Sequence, residues 1–199
     1  MAVKKILRYG DPVLRKKAEK VHKISAKIKQ LVQDLFDTMY AAENGVGLAA
    51  PQIGVSKRVF VLDCGTDEDP LPPMVFINPV IVRREGAVLS REGCLSFPDV
   101  YTDVKRYGNI TVRFTDLSGR PKELTVEAGT LLNRAIQHEL DHLDGVLFVD
   151  HVVYREEVEQ ALKEQELPPI EPERILQEPE LDAVLATPLL SSSSLSSKE

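Results

Sequence analysis

Two histidines four residues apart, in Gln137-His138-Glu139-Leu140-Asp141-His142, constrain this chain more than any other stretch. Their side chains share one face only if the segment is helical, because at 3.6 residues per turn positions i and i+4 lie one turn apart. The preceding Leu131, Leu132, Ala135 and Ile136 recur at helical spacing and support that reading. The pattern H-E-x-x-H on a helix aims two imidazoles at one ion. Glu139 is rotated off that line, where a carboxylate can take a proton from a water that the ion activates. On its own the pattern is also compatible with two ordinary histidines on a packed helix.

Two imidazoles need a third protein ligand to leave a catalytic ion one open position. Phe148 stands where a third histidine would complete a metzincin pattern. Downstream glutamates, namely Glu156, Glu157, Glu159 and Glu164, have spacings that leave them open as ligands. Cys94, in the glycine-flanked Glu92-Gly93-Cys94-Leu95-Ser96 at a strand end, is the better candidate. A thiolate with two imidazoles suits Zn²⁺ or Fe²⁺ and disfavours Mg²⁺ or Ca²⁺. The same ligand set occurs in copper electron-transfer sites, but none of the three methionines lies in a metal-loop pattern, and Glu139 would have no task there. A closed, purely structural metal clip is a further reading. Cys64 and the lone His151 read as structural, His151 being solvated or locally hydrogen-bonded.

The rest of the chain predicts an α+β domain with a mostly antiparallel sheet. After Ser25, a candidate N-cap, the apolar positions Ile28, Leu31, Val32, Leu35, Phe36 and Met39 mark an amphipathic helix ending near Glu43-Asn44-Gly45. Strand-like runs follow at 58–63, 75–82, 87–91, 100–106, 109–115 and 122–126. Lys4 to Leu7 reads as a weak strand or extended arm, Pro12 to Ala18 as a helical turn, and Gly45 to Gly54 as a helix stop plus loop. Val146 to Val149 reads as a short extended piece, and Tyr154 to Glu166 as a charged helix. From Leu167 the composition turns acidic and rich in proline and serine, and disorder is expected from there. Ile175 to Leu185 could form a transient or partner-induced helix, although Pro179 disfavours a continuous one.

The 199 residues are 43% hydrophobic, enough for a real core, so residues 1–166 are read as one catalytic domain and 167–199 as a tail. The tail has six acids against two bases, so it carries −4 of the net −6. The nearly neutral body offers no case for nucleic acid. No secretory leader or membrane-length apolar run is present, and two cysteines make no disulfide framework, so a cytoplasmic, reduced protein is expected.

Three segments together carry a resemblance. Gly45-Val46-Gly47-Leu48-Ala49-Ala50-Pro51-Gln52, Glu92-Gly93-Cys94-Leu95-Ser96 and the H-E-x-x-H stretch resemble the three signature motifs of peptide deformylases, in the family's order. The likeness runs from about Val3 to Glu166. It implies a hydrolase that removes the formyl group from N-formylmethionine of nascent chains near the ribosome. It implies ligation by Cys94, His138 and His142, with Fe²⁺ the expected ion and Zn²⁺, Ni²⁺ or Co²⁺ also accepted. It makes Glu139 the proton carrier, and the Leu95 N–H and the Gln52 amide the oxyanion donors. Val46, Gly47 and Gly93 are then expected to hold the extended peptide as an added strand. Leu131 and Ala135, on the His138 face of the helix, are expected to line the methionine pocket.

Overall fold

The computed structural model describes residues 3–68 and 70–175. Its five strands form one antiparallel sheet in chain order: β1 (Gly47–Ala49), β2 (Val59–Leu62), β3 (Met74–Cys94), β4 (Phe97–Thr115) and β5 (Pro121–Val126). Helices α1 (Ala26–Ala41), α2 (Leu131–Asp144) and α3 (Arg155–Glu164) complete the α+β architecture.

The apolar run of β2 is buried along its whole length because both its faces are covered. Val59 and Val61 pack with Leu31, Val32, Leu35 and Met39 of α1. Phe60 and Leu62 point the other way, to Ile136 and Leu143 of α2 and to Phe76. A third cluster joins Tyr9, Leu14, Phe97, Val100 and Phe148 to Val158 and Leu162 of α3. Burying a side chain such as Phe60, which is 0% exposed, contributes roughly 1.5–3 kcal/mol.

Several expectations change. Within the expected loop, Leu48 and Ala49 are fully buried and pair with Val61 and Phe60 as β1, a strand too short to show a period. Ala50–Ile53 then forms a 3-10 turn. The runs at 75–82 and 87–91 are one strand, β3, and those at 100–106 and 109–115 are one strand, β4. The ladder continues through Glu85↔Asn109 and Ala87↔Tyr107, where backbone pairing persists although the apolar alternation lapses. Ser25 stands at the N-cap of α1, but its hydroxyl makes no capping bond. The expected extended piece at 146–149 gives way to a 3-10 turn at Phe148–His151, where the Asp150 carboxylate accepts from the Leu147 N–H at 2.8 Å. The turn expected at Pro12 is a 3-10 turn, Pro12–Arg15, capped by Asp11.

Disorder beginning at Leu167 is not what residues 167–175 show. Ile170 is 3% exposed in the third cluster, the Tyr9 hydroxyl donates to the Pro169 carbonyl at 3.0 Å, and the Arg15 Nε donates to Glu171 at 3.0 Å. One buried apolar anchor and two polar ties hold this stretch despite its prolines. The possible helix from Ile175 to Leu185 and the serine cluster lie outside the described residues, apart from Ile175 itself.

Candidate metal centre

Helix α2 carries the motif, and its ends explain why it sits there. The Thr130 hydroxyl accepts from the Asn133 N–H at 3.1 Å, capping the first turn. Gly145, with φ 73°, ends the helix in the left-handed conformation. A Cβ at Gly145 would lie 2.5 Å from the Arg15 carbonyl oxygen, so no other residue fits without displacing the backbone. Two side chains tie the helix to β4. Asn133 donates to the Gly108 carbonyl at 2.6 Å, and Gln137 both accepts from the Tyr107 N–H and donates to its carbonyl.

Cys94 ends β3 where the chain reverses into β4, with Phe97 as its ladder partner. That reversal brings it to α2. Ligand atoms of Cys94, His138 and His142 all lie within 4.8 Å of one another, the one such group among the described residues. The Cys94 Sγ is 3.2 Å from His142 Nε2, and the two rings stand edge-on with centroids 5.1 Å apart. Glu156, Glu157, Glu159 and Glu164 lie outside this group.

The donor set fits a divalent metal. One soft sulfur and two imidazoles converge on one point, and the nearby Glu139 Oε2 is buried with no protein partner. Burial lowers the pKa of His142 well below the usual histidine value, the charge of His138 adding to the effect, so the neutral, ligating form is favoured. Burial opposes a charge on His138 as well, yet Cys94 and Glu92 outweigh it and raise its pKa. The negative surroundings that favour a proton on His138 equally favour a cation beside it. Burial also pushes Glu139 up to about 7, helped by Glu92 and Asp141 and opposed by His138.

Sequence reasoning missed the groups that hold His138. The Glu92 carboxylate meets His138 Nδ1 at 2.8 Å, which leaves Nε2 as the ring's ligand atom. Glu92 is gripped in turn by Arg106 through two bonds of 2.8 Å. Arg106 also donates to Asp141 at 2.5 Å, and the His151 Nε2 meets the same Asp141 oxygen at 3.0 Å. His151 is thus locally hydrogen-bonded, as expected. Although burial raises the pKa of Glu92, Arg106 and His138 bring it down to about 2. Glu92 and Asp141 sit inside the motifs already singled out. Arg106 lies on a strand with no motif of its own and gave no signal.

A cleft of about 570 Å³ opens beside the centre. Val46, Gly47, Gln52, Gly93, Cys94, Leu95, Leu131, Ala135, His138 and Glu139 all line it, while His142 lies behind them at 1% exposure. The structure therefore brings every expected site residue to one place. Gln52 is oriented by its neighbours. Its Oε1 accepts from the Ala49 N–H at 2.8 Å, which turns Nε2 toward the Ser96 hydroxyl at 3.3 Å and Cys94 Sγ at 3.6 Å. At Gly47 a Cβ would stand 2.7 Å from Glu139 Oε1, so the missing side chain is what lets β1 pass the glutamate. Tyr101 was not anticipated. Its ring packs where a Cβ on Gly93 would fall, 2.5 Å away, and it forms part of the wall.

The profile described as polypeptide deformylase matches residues 3–158. The chain belongs to the peptide deformylase family. It is 47% identical over 165 residues to a peptide deformylase of Endomicrobium trichonymphae, covering 82% of this chain and 95% of that one. It is 48% identical over 149 residues to that of Acidobacterium capsulatum, covering 75% and 86%. The solved peptide deformylase of Synechococcus elongatus in complex with actinonin superposes with a TM-score of 0.76 at 42% identity, over 83% of this chain and 92% of that one. The Met-Ala-Ser-bound enzyme of Acinetobacter baumannii gives 0.70 at 32% identity, over 76% and 99%. The chain is accordingly a metal-dependent hydrolase acting on the N-formyl group of nascent N-formylmethionyl peptides. No helix among the described residues is long and apolar enough to cross a membrane.

Proposed function

We propose that the cleft beside α2 is the deformylation site, with Cys94, His138 and His142 as the metal ligands and the sheet wrapped around the motif helix to hold them. The observation that carries this reading is the convergence of one sulfur and two imidazoles beside a buried glutamate with a partnerless oxygen. Fe²⁺ is the proposed native ion, with Zn²⁺, Ni²⁺ or Co²⁺ as substitutes. When bound, such an ion supplies Lewis acidity and an acidified water at an open coordination position.

The Glu139 carboxylate accepts a proton from the water oxygen as that oxygen bonds to the formyl carbon. Its burial and raised pKa suit a group that must first take and then return a proton near neutrality. The oxyanion that develops needs donors already aimed at it, and the Gln52 amide and the Leu95 N–H are assigned that task. Fixed orientation of Gln52 by the Ala49 N–H supports the assignment, since a preset donor costs no reorganisation. The C–N bond then breaks, Glu139 returns its proton to the departing amine, and formate and a free methionyl amine are the products. Val46, Gly47 and Gly93 hold the peptide through main-chain bonds, and Leu131 and Ala135 line the methionine pocket. Residues 1–166 form the catalytic domain in this reading, working in the cytoplasm close to the ribosome.

Anaerobically purified protein should release formate from formyl-Met-Ala-Ser and leave acetyl-Met-Ala-Ser intact, with about one ion bound per chain. Equal turnover of both peptides, or turnover without bound metal, would refute the assignment.

A further inference from the structure

The chain between α1 and β1 forms one wall of the metal cleft, with Glu43, Asn44, Gly45 and Val46 all lining it. Packing alone holds this segment weakly. Glu43 and Asn44 are exposed, and Gly45 and Val46 are only half-buried. Its conformation is nevertheless a demanding one. Asn44 stands at φ 60°, in the left-handed region that asparagine tolerates better than most residues. A Cβ on Gly45 would fall 2.5 Å from the Met39 carbonyl oxygen, so the loop folds back tightly on the end of α1. Backbone of this kind persists only where its surroundings hold it.

Both ends of the loop are tied to one residue, Asp63, which follows β2. The Asp63 N–H donates to the Val46 carbonyl at 2.9 Å. The Asp63 carboxylate accepts from the hydroxyl of Tyr40, in the last turn of α1, at 2.6 Å, a length that fits a charge-assisted bond. The two bonds close residues 40–46 into a ring with Asp63 as its clasp. Burial does not explain a tyrosine here, since Tyr40 is 56% exposed. Its ring stacks on Phe36, one turn earlier, at 5.9 Å between centroids, and Phe36 packs against the cluster shared by α1 and β2. That stack presents the hydroxyl to Asp63. Neither Tyr40 nor Asp63 lines the cleft itself.

We propose that Tyr40, acting through Asp63, is a positioning residue for the substrate. It sets the main chain of Val46 and Gly47 relative to Gly93, where the extended formyl peptide is held, and touches neither the peptide nor the metal ligands. The inference rests on the deformylation reading of the cleft. Tyr40→Phe keeps the ring and its stack on Phe36 and removes only the hydroxyl. Metal content and kcat should stay close to wild type, while KM for formyl-Met-Ala-Ser rises about 3–10-fold, the factor that one net hydrogen bond is worth. That split marks lost binding rather than lost chemistry. Asp63→Ala should reproduce it. Asp63→Asn should recover most of the loss, because its side-chain carbonyl can still accept from the phenol. Tyr40→Phe combined with Asp63→Ala should be no worse than Asp63→Ala alone. Apart from turnover, the amide hydrogens of Asp63 and of residues 44–47 should exchange with solvent severalfold faster in Tyr40→Phe, with those of α2 unchanged. An unaltered KM with unaltered exchange would overturn the proposal. So would a fall in kcat and Tm at constant KM, which marks a purely structural role. A wild-type chain inert toward formyl-Met-Ala-Ser would instead overturn the deformylation reading, and the substrate role with it, whatever the exchange shows.

Discussion

At the scale of single residues, the buried acids have separable tasks. Glu139→Gln keeps the shape of the side chain but cannot accept a proton. It should retain metal and lose about 10²–10⁴-fold in kcat, read by steady-state assay beside metal analysis. Gly47→Ala should also keep the ion but slow turnover, because its methyl group would fall 2.7 Å from Glu139 Oε1 and from Leu62 Cδ2. A rate equal to wild type would show that β1 can shift without disturbing the glutamate. Arg106 acts through others. Arg106→Leu leaves Glu92 buried with only His138 beside it and Asp141 with only His151, and should cost about 3–5 kcal/mol in urea unfolding, more than any surface arginine. The ligands and Glu139 were legible in the sequence because motif spacing is local and chemical. Arg106 was not, since its importance arises only when β4 crosses behind α2 and meets two acids 14 and 35 residues away.

At the scale of elements, what the sequence reveals depends on how each element earns its place. Helix α1 was legible because it buries one apolar stripe, and β2 because both its faces are covered. The three-residue β1 was hidden, since its pairing partners lie in β2 and nothing in its own sequence alternates. The middles of β3 and β4 were hidden because their pairing is carried by the backbone through a polar, glycine-containing stretch. Residues 167–175 misled for the opposite reason. Their composition speaks of disorder, but one isoleucine finds a pocket in the third cluster. Ile170→Ala should therefore cost about 2–5 kcal/mol in thermal or urea unfolding; a neutral result would show that the polar ties alone hold the strap. One of those ties is sensitive to acid. Burial raises the pKa of Glu171, but Arg174 and Arg15 together bring it below the ordinary 4.5. A carboxylate lowered on folding stabilises the fold above its unfolded pKa and loses that contribution as pH falls through the folded value. The difference in Tm between wild type and Glu171→Gln should accordingly shrink as the pH drops below about 4.5, whereas a difference independent of pH would mean that neither the Arg174 nor the Arg15 contact acts as an ion pair.

At the scale of the whole molecule, the centre depends on long-range assembly. Cys94 comes from the turn of a strand hairpin and the histidines from a helix more than forty residues later, so the three donors meet only when α2 has docked on the sheet. An ion that binds this folded arrangement and not the open chain stabilises it by mass action. Chelation should lower the Tm, and returning Zn²⁺ should restore it; a Tm indifferent to metal would mean that the donors are held together without any ion. The composition had suggested a bland electrostatic surface, and in the body as a whole the charges do nearly cancel. Folding nevertheless sorts them, gathering lysines and arginines from several separate segments behind α2.

The two-faced burial of β2 has one more implication. A ribbon sandwiched by helices from opposite sides cannot be withdrawn without opening both seams together. The four residues Val59–Leu62 thus behave as a keystone, and exchange of their amide hydrogens with solvent should require the whole body to come apart.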